Sequence, residues 1–496
     1  MKKLTIVSIF LFCSLITFAQ NGDNVLRISR TSLYGTARST AMGGAFGALG
    51  GDLSAIHVNP GGIGVFRLSE FNFTPYLDFD KTTSGMEMDK TSFLIGNIGV
   101  VATYNIPRSN WKNFNFGVNY TNLNNFNRNT SQYGGVNPNS SITDIWRLWA
   151  NGNIRDELNE FTTSLAYDAY LLNLTGGATD DYMTPLSDDD QVGQEKYIKE
   201  RGYQGEYALS LGGNYNDQLY LGVTIGLQNL HYDYYSEYQE RNADNSTPVP
   251  AVGFRMRNLY FDEYFNSNGT GINFKAGAIY RPVPEIRFGL AIHSPTYYTI
   301  SAYAENGIYA SYYMPPPGDD RFNFGNNAYT EYDYRLNTPW RFIASAATIL
   351  AKRAIISMDY EYVDYTSAKL KDSYRGEYDG VHDFLAYNAQ ETHNFRVGAE
   401  LRANSFLSLR GGYAYWASPY AKGDWKEKNH IQTISGGIGL NFGNFYTDVA
   451  YLHKSSKDKD YFYNEYFSEY DATFVSAEID TNYKNHEFRV SLGIKF

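Results

Sequence analysis

The chain closes on Glu487-Phe488-Arg489-Val490-Ser491-Leu492-Gly493-Ile494-Lys495-Phe496. Successive side chains of an extended strand point to opposite faces, so Phe488, Val490, Leu492, Ile494 and Phe496 share one face and Glu487, Arg489, Ser491, Gly493 and Lys495 the other. The same period of two runs through Leu219, Leu221, Val223, Ile225 and Leu227 against Tyr220, Gly222, Thr224, Gly226 and Gln228. It returns in Phe114, Phe116, Val118 and Tyr120, and again in Phe395, Val397, Ala399 and Leu401.

A soluble sandwich alternates too, so length and loop pattern decide between the two. The alternating runs span about 10 to 14 residues, whereas soluble strands average about 5 or 6 and a tilted membrane strand needs about 9 to 11. Fourteen stretches qualify: 66–79, 93–106, 112–126, 203–215, 219–238, 269–281, 286–304, 337–350, 354–370, 390–402, 406–420, 430–442, 445–456 and 483–496. Tight turns at Asn216-Asp217-Gln218, Pro282 to Glu285, Ala351-Lys352-Arg353, Ala403-Asn404-Ser405 and Gly443-Asn444 alternate with longer links. The fold class expected is all-β: a transmembrane antiparallel barrel of about fourteen strands over 66–496, with short turns and both chain ends on the periplasmic side. An open sheet edge in lipid would strand backbone groups at several kcal/mol each, which argues for closure.

Lys2 and Lys3 precede an apolar run from Leu4 to Phe18 that closes on Phe18-Ala19-Gln20, the pattern of a secretory signal peptide cleaved after Ala19. The lone Cys13 falls within it, leaving a mature chain without thiol or disulfide chemistry. Aromatic residues make up 17% of the chain, 45 Tyr and 31 Phe among them, as interfacial girdles of a membrane barrel require. A net charge of −11 speaks against nucleic acid. Catalytic and metal signatures are missing: His486-Glu487 lacks the second histidine of a zinc helix, no G-x-S-x-G occurs, and the eight histidines show no ligand spacing. Transport or binding without a cofactor is the function class that remains.

Residues 20–65 precede the barrel, and Ser29 to Gly64 is rich in glycine and alanine, including Thr40-Ala41-Met42-Gly43-Gly44-Ala45-Phe46-Gly47. Such residues let backbone pack closely in a confined space, so this stretch reads as a plug in the lumen; phosphate-loop spacing is lacking. The longest outer loop, about 127–202, carries Trp146, Trp149, Ile154, Leu158, Phe161 and Leu165; the last four recur at helical spacing and predict an amphipathic helix that caps the barrel or first captures a greasy ligand. The acidic stretches Asp188-Asp189-Asp190 and Lys457-Asp458-Lys459-Asp460 read as solvated loop, with divalent-ion binding as the alternative. Strand parity turns Asp359, Arg396, Glu400, Arg410, Glu487 and Arg489 toward the lumen, since basic residues in lipid cost about 2 to 4 kcal/mol each. Asp359, Arg396 and Arg410, on three consecutive strands, are expected to be neighbours. Either they brace the wall, or one arginine binds an anionic head group while Phe46, Leu53 and Ile56 line the tail.

Taken in order, these residues resemble the FadL/TodX group of outer-membrane transporters of long-chain fatty acids and aromatic hydrocarbons. Gly35-Thr36-Ala37-Arg38-Ser39-Thr40-Ala41-Met42-Gly43-Gly44-Ala45, then Asp52, Ala55 and Asn59-Pro60-Gly61, are similar to the family's N-terminal hatch, with glycine where Asn-Pro-Ala is usual. Leu336-Asn337-Thr338-Pro339-Trp340, Met358-Asp359-Tyr360-Glu361-Tyr362, Phe395-Arg396-Val397-Gly398-Ala399-Glu400 and Leu409-Arg410-Gly411-Gly412-Tyr413 with Pro419 are similar to its C-terminal strands. The resemblance implies a fourteen-stranded barrel blocked by a hatch, with ligand captured by outer loops, held in a lumen pocket and released sideways, and no energy-coupling partner. Expected partners are a hydrophobic small molecule, outer-membrane lipid and lipopolysaccharide, and the barrel-insertion machinery that reads Phe496. A general porin and a surface adhesin are the competing readings.

Overall fold

A computed structural model describes residues 22–32, 35–137, 140–187, 190–242, 250–314, 316–319, 321–371, 378–463 and 478–496. The expected leader, with Cys13, lies outside them, as do Asp188 and Asp189. Fourteen antiparallel strands close into one barrel. They run Glu70–Ser84, Met86–Asn105, Trp111–Asn125 continuing as Arg128–Asn137, Val192–Tyr215, Leu219–Asn242, Met256–Val283, Ile286–His293 continuing as Tyr297–Tyr312, and Asn323–Asn337 continuing as Arg341–Leu350. The remaining six run Ala354–Asp364 with Lys369–Lys371, Glu391–Arg402, Leu407–Trp416, Ile431–Asn441, Phe445–Tyr461 and Glu478–Lys495. The first and last pair from Glu70↔Lys495 to Thr83↔Asn482, which leaves no end of the sheet open.

Each expected strand is present, and the alternation sorts side chains as its period dictates. Phe488, Val490, Leu492 and Ile494 face outward and exposed, while Glu487, Arg489 and Ser491 are buried inside. Phe71, Phe116, Leu211, Leu221, Val223, Phe274, Phe288, Phe342, Met358, Val397 and Val449 carry the same apolar outer face around the wall. A belt of exposed apolar side chains is stable only against hydrocarbon, so the barrel spans a membrane. On the short-turn side, Asn216, Asp217, Ala351 and Lys352 adopt positive φ, as two-residue hairpins require to match strand twist.

Strand ends differ from the sequence reading on the other side. The fourth to sixth strands reach 24, 24 and 28 residues, and the first two meet in a tight hairpin at Gly85 (φ 81°) rather than a long link. Above the belt both faces become polar, so hydropathy stops alternating while the hydrogen-bonded ladder continues. Lys457 to Asp460 accordingly lies in the thirteenth strand, not in a loop, and Asp460 accepts from Gln132 at 3.1 Å.

Between the third and fourth strands, the sequence 154–165 does not form the single helix its spacing predicts. It divides into a 3-10 turn, Arg155–Glu157, and a short helix, Thr163–Asp168. The Asn159 side chain accepts the Phe161 N–H at 2.9 Å, the local competition by which asparagine interrupts helices. The longer helix of this loop is Ile142–Ala150, with Trp146 fully buried; Glu240 accepts its first N–H from Ile142 at 2.8 Å. With Leu158, Leu165 and Phe261, Trp146 forms an apolar cap beneath which the lumen lies.

Candidate functional site

The lumen is filled from the N-terminal side. The helix Gly22–Ser29 buries Val25, Leu26 and Ile28 against Leu230, Tyr298, Leu336 and Leu385, the last from the helix Asp379–Asn388. Residues 35–66 then lie across the barrel nearer the short-turn side, almost entirely buried.

Wall glycines create the space for that segment. A Cβ added to Gly222 would sit 2.1 Å from the Pro60 carbonyl oxygen, at Gly277 2.0 Å from Asn59 Oδ1, at Gly289 2.2 Å from the Gly47 oxygen, at Gly398 2.4 Å from the Met42 oxygen and at Gly412 2.2 Å from Gly43 N. These positions lie in the fifth, sixth, seventh, tenth and eleventh strands, and Gly222 pairs with Gly277, as Gly398 does with Gly412. At four of these positions backbone therefore meets backbone, and at Gly277 the Asn59 amide fills the place of a side chain, approaches only glycine permits.

Polar groups of the wall satisfy the segment where it turns. Asp359 accepts Phe46 N–H at 3.1 Å and Gly47 N–H at 3.1 and 3.2 Å. Asn59 donates to the Gly47 carbonyl at 2.7 Å and the Ala278 carbonyl at 3.1 Å, and accepts from Gly61 N–H at 2.9 Å. Arg38 lies 2.9 Å from Glu400, which also holds Arg410 at 2.8 Å; Arg410 reaches Asp448 at 2.5 Å. His57 Nδ1 is 2.9 Å from Glu206, whose carboxylate also pairs with Lys275, and His57 Nε2 is 2.9 Å from Asn119 Nδ2. Burial holds the His57 imidazole below its ordinary range, with Lys275 adding to the effect and Glu206 opposing it.

The sequence-derived candidates fall into two sets. Phe46 packs with Met42, Leu49 and Ala347, and Leu53 and Ile56 with Ile63, Phe66 and Val101, all within the N-terminal segment or against the wall. Pro60 seats against Gly222 and Gly277. Arg396 pairs directly across the sheet with Asp359, at 3.6 Å, and reaches Glu361 at 3.2 Å. Arg410 does not join them; it lies opposite Glu400, while Ala414 stands opposite Arg396. Both arginines are lumenal, and each is held by two carboxylates.

One part of the wall is unlike the rest. The second and third strands pair only from Asn97↔Thr121 to Asn105↔Asn113. Beyond that, among the described residues, the 86–96 edge makes no strand pairing with the third strand, and Gly85↔Gln132 is an isolated bridge. The third strand bulges between Asn122 and Asn124 and is interrupted at Phe126 and Asn127. The N-terminal segment closes on this seam: Ser32 N–H donates to the Leu123 carbonyl at 3.0 Å, and Asn124 donates to the Arg30 carbonyl at 2.9 Å. A cavity of about 40 Å³, room for a water, is lined there by Arg30, Ser32, Asn124, Trp416 and Lys454. A far larger concavity, about 1060 Å³, lies among Leu211, Val223, Ala278, Leu290 and Phe342 on the outward apolar belt.

The glycine ring escaped the sequence reading, although glycine recurs at the lumenal parity of successive strands. The seam did not wholly escape it: the asparagine-rich stretch Asn122 to Asn125 points to a kink in the third strand, and the bulge lies there.

These features define a closed transmembrane barrel of fourteen strands with an occluded lumen and a seamed wall. Among solved structures the chain is similar in fold to a Pseudomonas aeruginosa FadL homologue, with TM-score 0.53 and 14% identity over 94% of this chain and 99% of that one. It is likewise similar to the P. putida toluene transporter TodX, with TM-score 0.51 and 12% identity over 94% and 99% of the two chains. No family model and no curated protein matches the sequence.

Proposed function

We propose that the protein is an outer-membrane channel for passive uptake of hydrophobic small molecules, long-chain fatty acids or aromatic hydrocarbons. Residues 20–65 act as its hatch and 66–496 as the barrel, exported by the leader 1–19. The observation that carries this reading is the hydrogen bonding of Ser32 and Arg30 to the bulged third strand, because it ties the N-terminal segment to the unpaired seam. A ligand caught under the cap of the helices 142–150 and 163–168 would displace this link, then leave through the seam into the bilayer, where an apolar solute is most stable. The same reading suits the transport of toluene described for TodX, with which the fold is shared.

Phe46, Leu53, Ile56, Asn59 and Pro60 serve as the hatch floor beneath the ligand. Arg396 and Arg410 brace the wall, since each is neutralised by paired carboxylates and a third anion would compete with them. Arg30 and Lys454, beside the seam, are the cations a fatty carboxylate would meet. The channel performs no catalytic step.

Deleting Leu123 removes the extra residue that shifts the third strand's register against the fourth, and with it the carbonyl that Ser32 N–H bonds. Uptake of radiolabelled long-chain fatty acid or toluene into cells carrying this variant is expected to fall to the level of cells lacking the protein, with a folded barrel still in the membrane. Unchanged uptake in both strains, accompanied by altered sugar permeability, would favour a general porin; loss of surface adhesion instead would favour an adhesin.

A further inference from the structure

The outward face just above the belt on the twelfth to fourteenth and first strands differs in charge from a protein of net charge −11. Its depth is fixed by aromatic residues. Phe488 contacts Phe79 at 6.0 Å and Tyr451 at 5.1 Å between ring centroids, and such girdles sit at the membrane interface. The next outward positions on these strands lie about 7 Å further along, among head groups.

Those positions are lysine and histidine. His453 lies opposite His486 with ring centroids 4.7 Å apart. One step higher Lys484 stands beside Lys81, and one step higher again Lys457 follows, with His430 at the head of the twelfth strand. Lys81 is tied to Glu87 on the second strand, and Asp89 lies opposite it. Lys484 and Lys457 make no ion pair with any described residue, and the next acids, Glu478 and Asp480, come two or more positions further from the membrane beside Lys459. The Nδ1 atom of His453 is buried without a hydrogen-bond partner among the described residues, and His486 Nδ1 is 2.7 Å from the Tyr451 hydroxyl.

We propose that this face binds the phosphate groups of a phosphorylated outer-leaflet glycolipid of the lipopolysaccharide class. Lys484 and Lys457 supply fixed charge, and the His453–His486 pair donates hydrogen bonds at the depth where the glycolipid's phosphates meet its acyl chains. Tyr451, Phe79 and Phe488 contact the first carbons of those chains. The proposal rests on the outer-membrane location given above, but not on what the channel carries.

The test uses the full-length mature protein, purified in detergent, exchanged into nanodiscs and examined by native mass spectrometry for retained glycolipid. Bisphosphorylated lipid A is expected to be retained, and dephosphorylated lipid A is not. Lys484→Gln and Lys457→Gln should each weaken retention about fivefold, the contribution of one basic residue at an anionic surface. Lys352→Gln, on the opposite side of the membrane, should retain lipid as the parent does. Inorganic phosphate at millimolar concentration should not displace the lipid, since it lacks the chains that hold the phosphate at this depth. Heat-modifiable migration on gels reports that each variant is folded. Equal retention of the dephosphorylated lipid, equal retention of phosphatidylglycerol, or full retention by the doubly substituted protein overturns the proposal. Lipid retained by a protein that carries no hydrophobic solute would leave it standing while the transport reading fell.

Discussion

Asp359 offers the sharpest test of how the N-terminal segment is held, because one carboxylate meets two of its amides. Replacing it with alanine leaves the Phe46 and Gly47 N–H groups buried and unbonded, where they now lie 3.1 to 3.2 Å from its oxygens. Each unsatisfied buried donor costs about 1 to 3 kcal/mol, so the turn at Phe46 should be destabilised by about 2 to 6 kcal/mol. The wall keeps its backbone ladder Ser345↔Asp359↔Arg396, and Arg396, which loses one of its two carboxylates, still has Glu361 at 3.2 Å. Hydrogen exchange on detergent-solubilised protein separates the two regions. Peptides covering 42–50 should lose protection by about thirtyfold or more, the lower end of that range converted to an equilibrium constant, while those covering 391–402 stay as they were. Asp359→Asn keeps one acceptor oxygen and should fall between. Unchanged protection of 42–50 in the alanine variant would mean that packing alone holds the hatch and that its polar anchors contribute nothing.

Two further outcomes follow from the same contacts. Burial holds the His57 pKa below its ordinary value near 6.5, so the folded hatch binds fewer protons than the unfolded chain as pH falls through that value. Its stability contribution is present above about pH 6.5 and shrinks below it; protection of the residues around His57, corrected for intrinsic exchange, should decline from pH 7 to pH 5, and His57→Gln should flatten the decline. A decline of equal size in the glutamine variant would assign it to other groups. Gly222→Val places a side chain where the Pro60 carbonyl sits, 2.1 Å from the position its Cβ would take, so the hatch cannot seat and planar-bilayer conductance to small ions should rise; parental conductance would show that the lumen is sealed elsewhere.

How far the fold could be read from sequence depends on where solvent changes. Within the hydrocarbon, a strand must place Phe488, Val490 and Leu492 outward and Arg489 and Ser491 inward, so the period of two is written into the residues themselves. Outside it, His231, Asp233, Tyr235 and Glu237 face outward from the fifth strand while Tyr234 and Ser236 face inward, and polarity no longer distinguishes the sides. Strand number was therefore legible and strand length was not. The loop helix failed for a related reason: Ile154, Leu158 and Leu165 satisfy a helical spacing, but Asn159 commits its side chain to local turns that the spacing rule ignores.

The candidate site was half legible for a different physical reason. Charged lumenal residues announce themselves by parity, which is how Arg396, Arg410 and Asp359 were found, but parity does not say whether a charge awaits a ligand or already has its partners. The register answers that for the arginines: Arg396 faces Asp359 and Arg410 faces Glu400 across adjacent strands. Glycine carries the complementary message. A strand interior gains nothing from Gly222 or Gly398 by itself, because glycine weakens strands, so its recurrence at lumenal positions of successive strands requires something packed against the backbone there. The N-terminal segment supplies it with Pro60 and Met42, and the two parts of the sequence thereby specify one another: small residues in 35–66 make a segment thin enough to lie across the barrel, and glycines in the wall make the groove in which it lies. The seam breaks that mutual closure where the third strand's bulge gives the Leu123 carbonyl to Ser32 rather than to a neighbouring strand. A wall hydrogen bond given to the N-terminal segment is one fewer given to a neighbouring strand, so under the lateral release proposed above this is the side of the barrel expected to open.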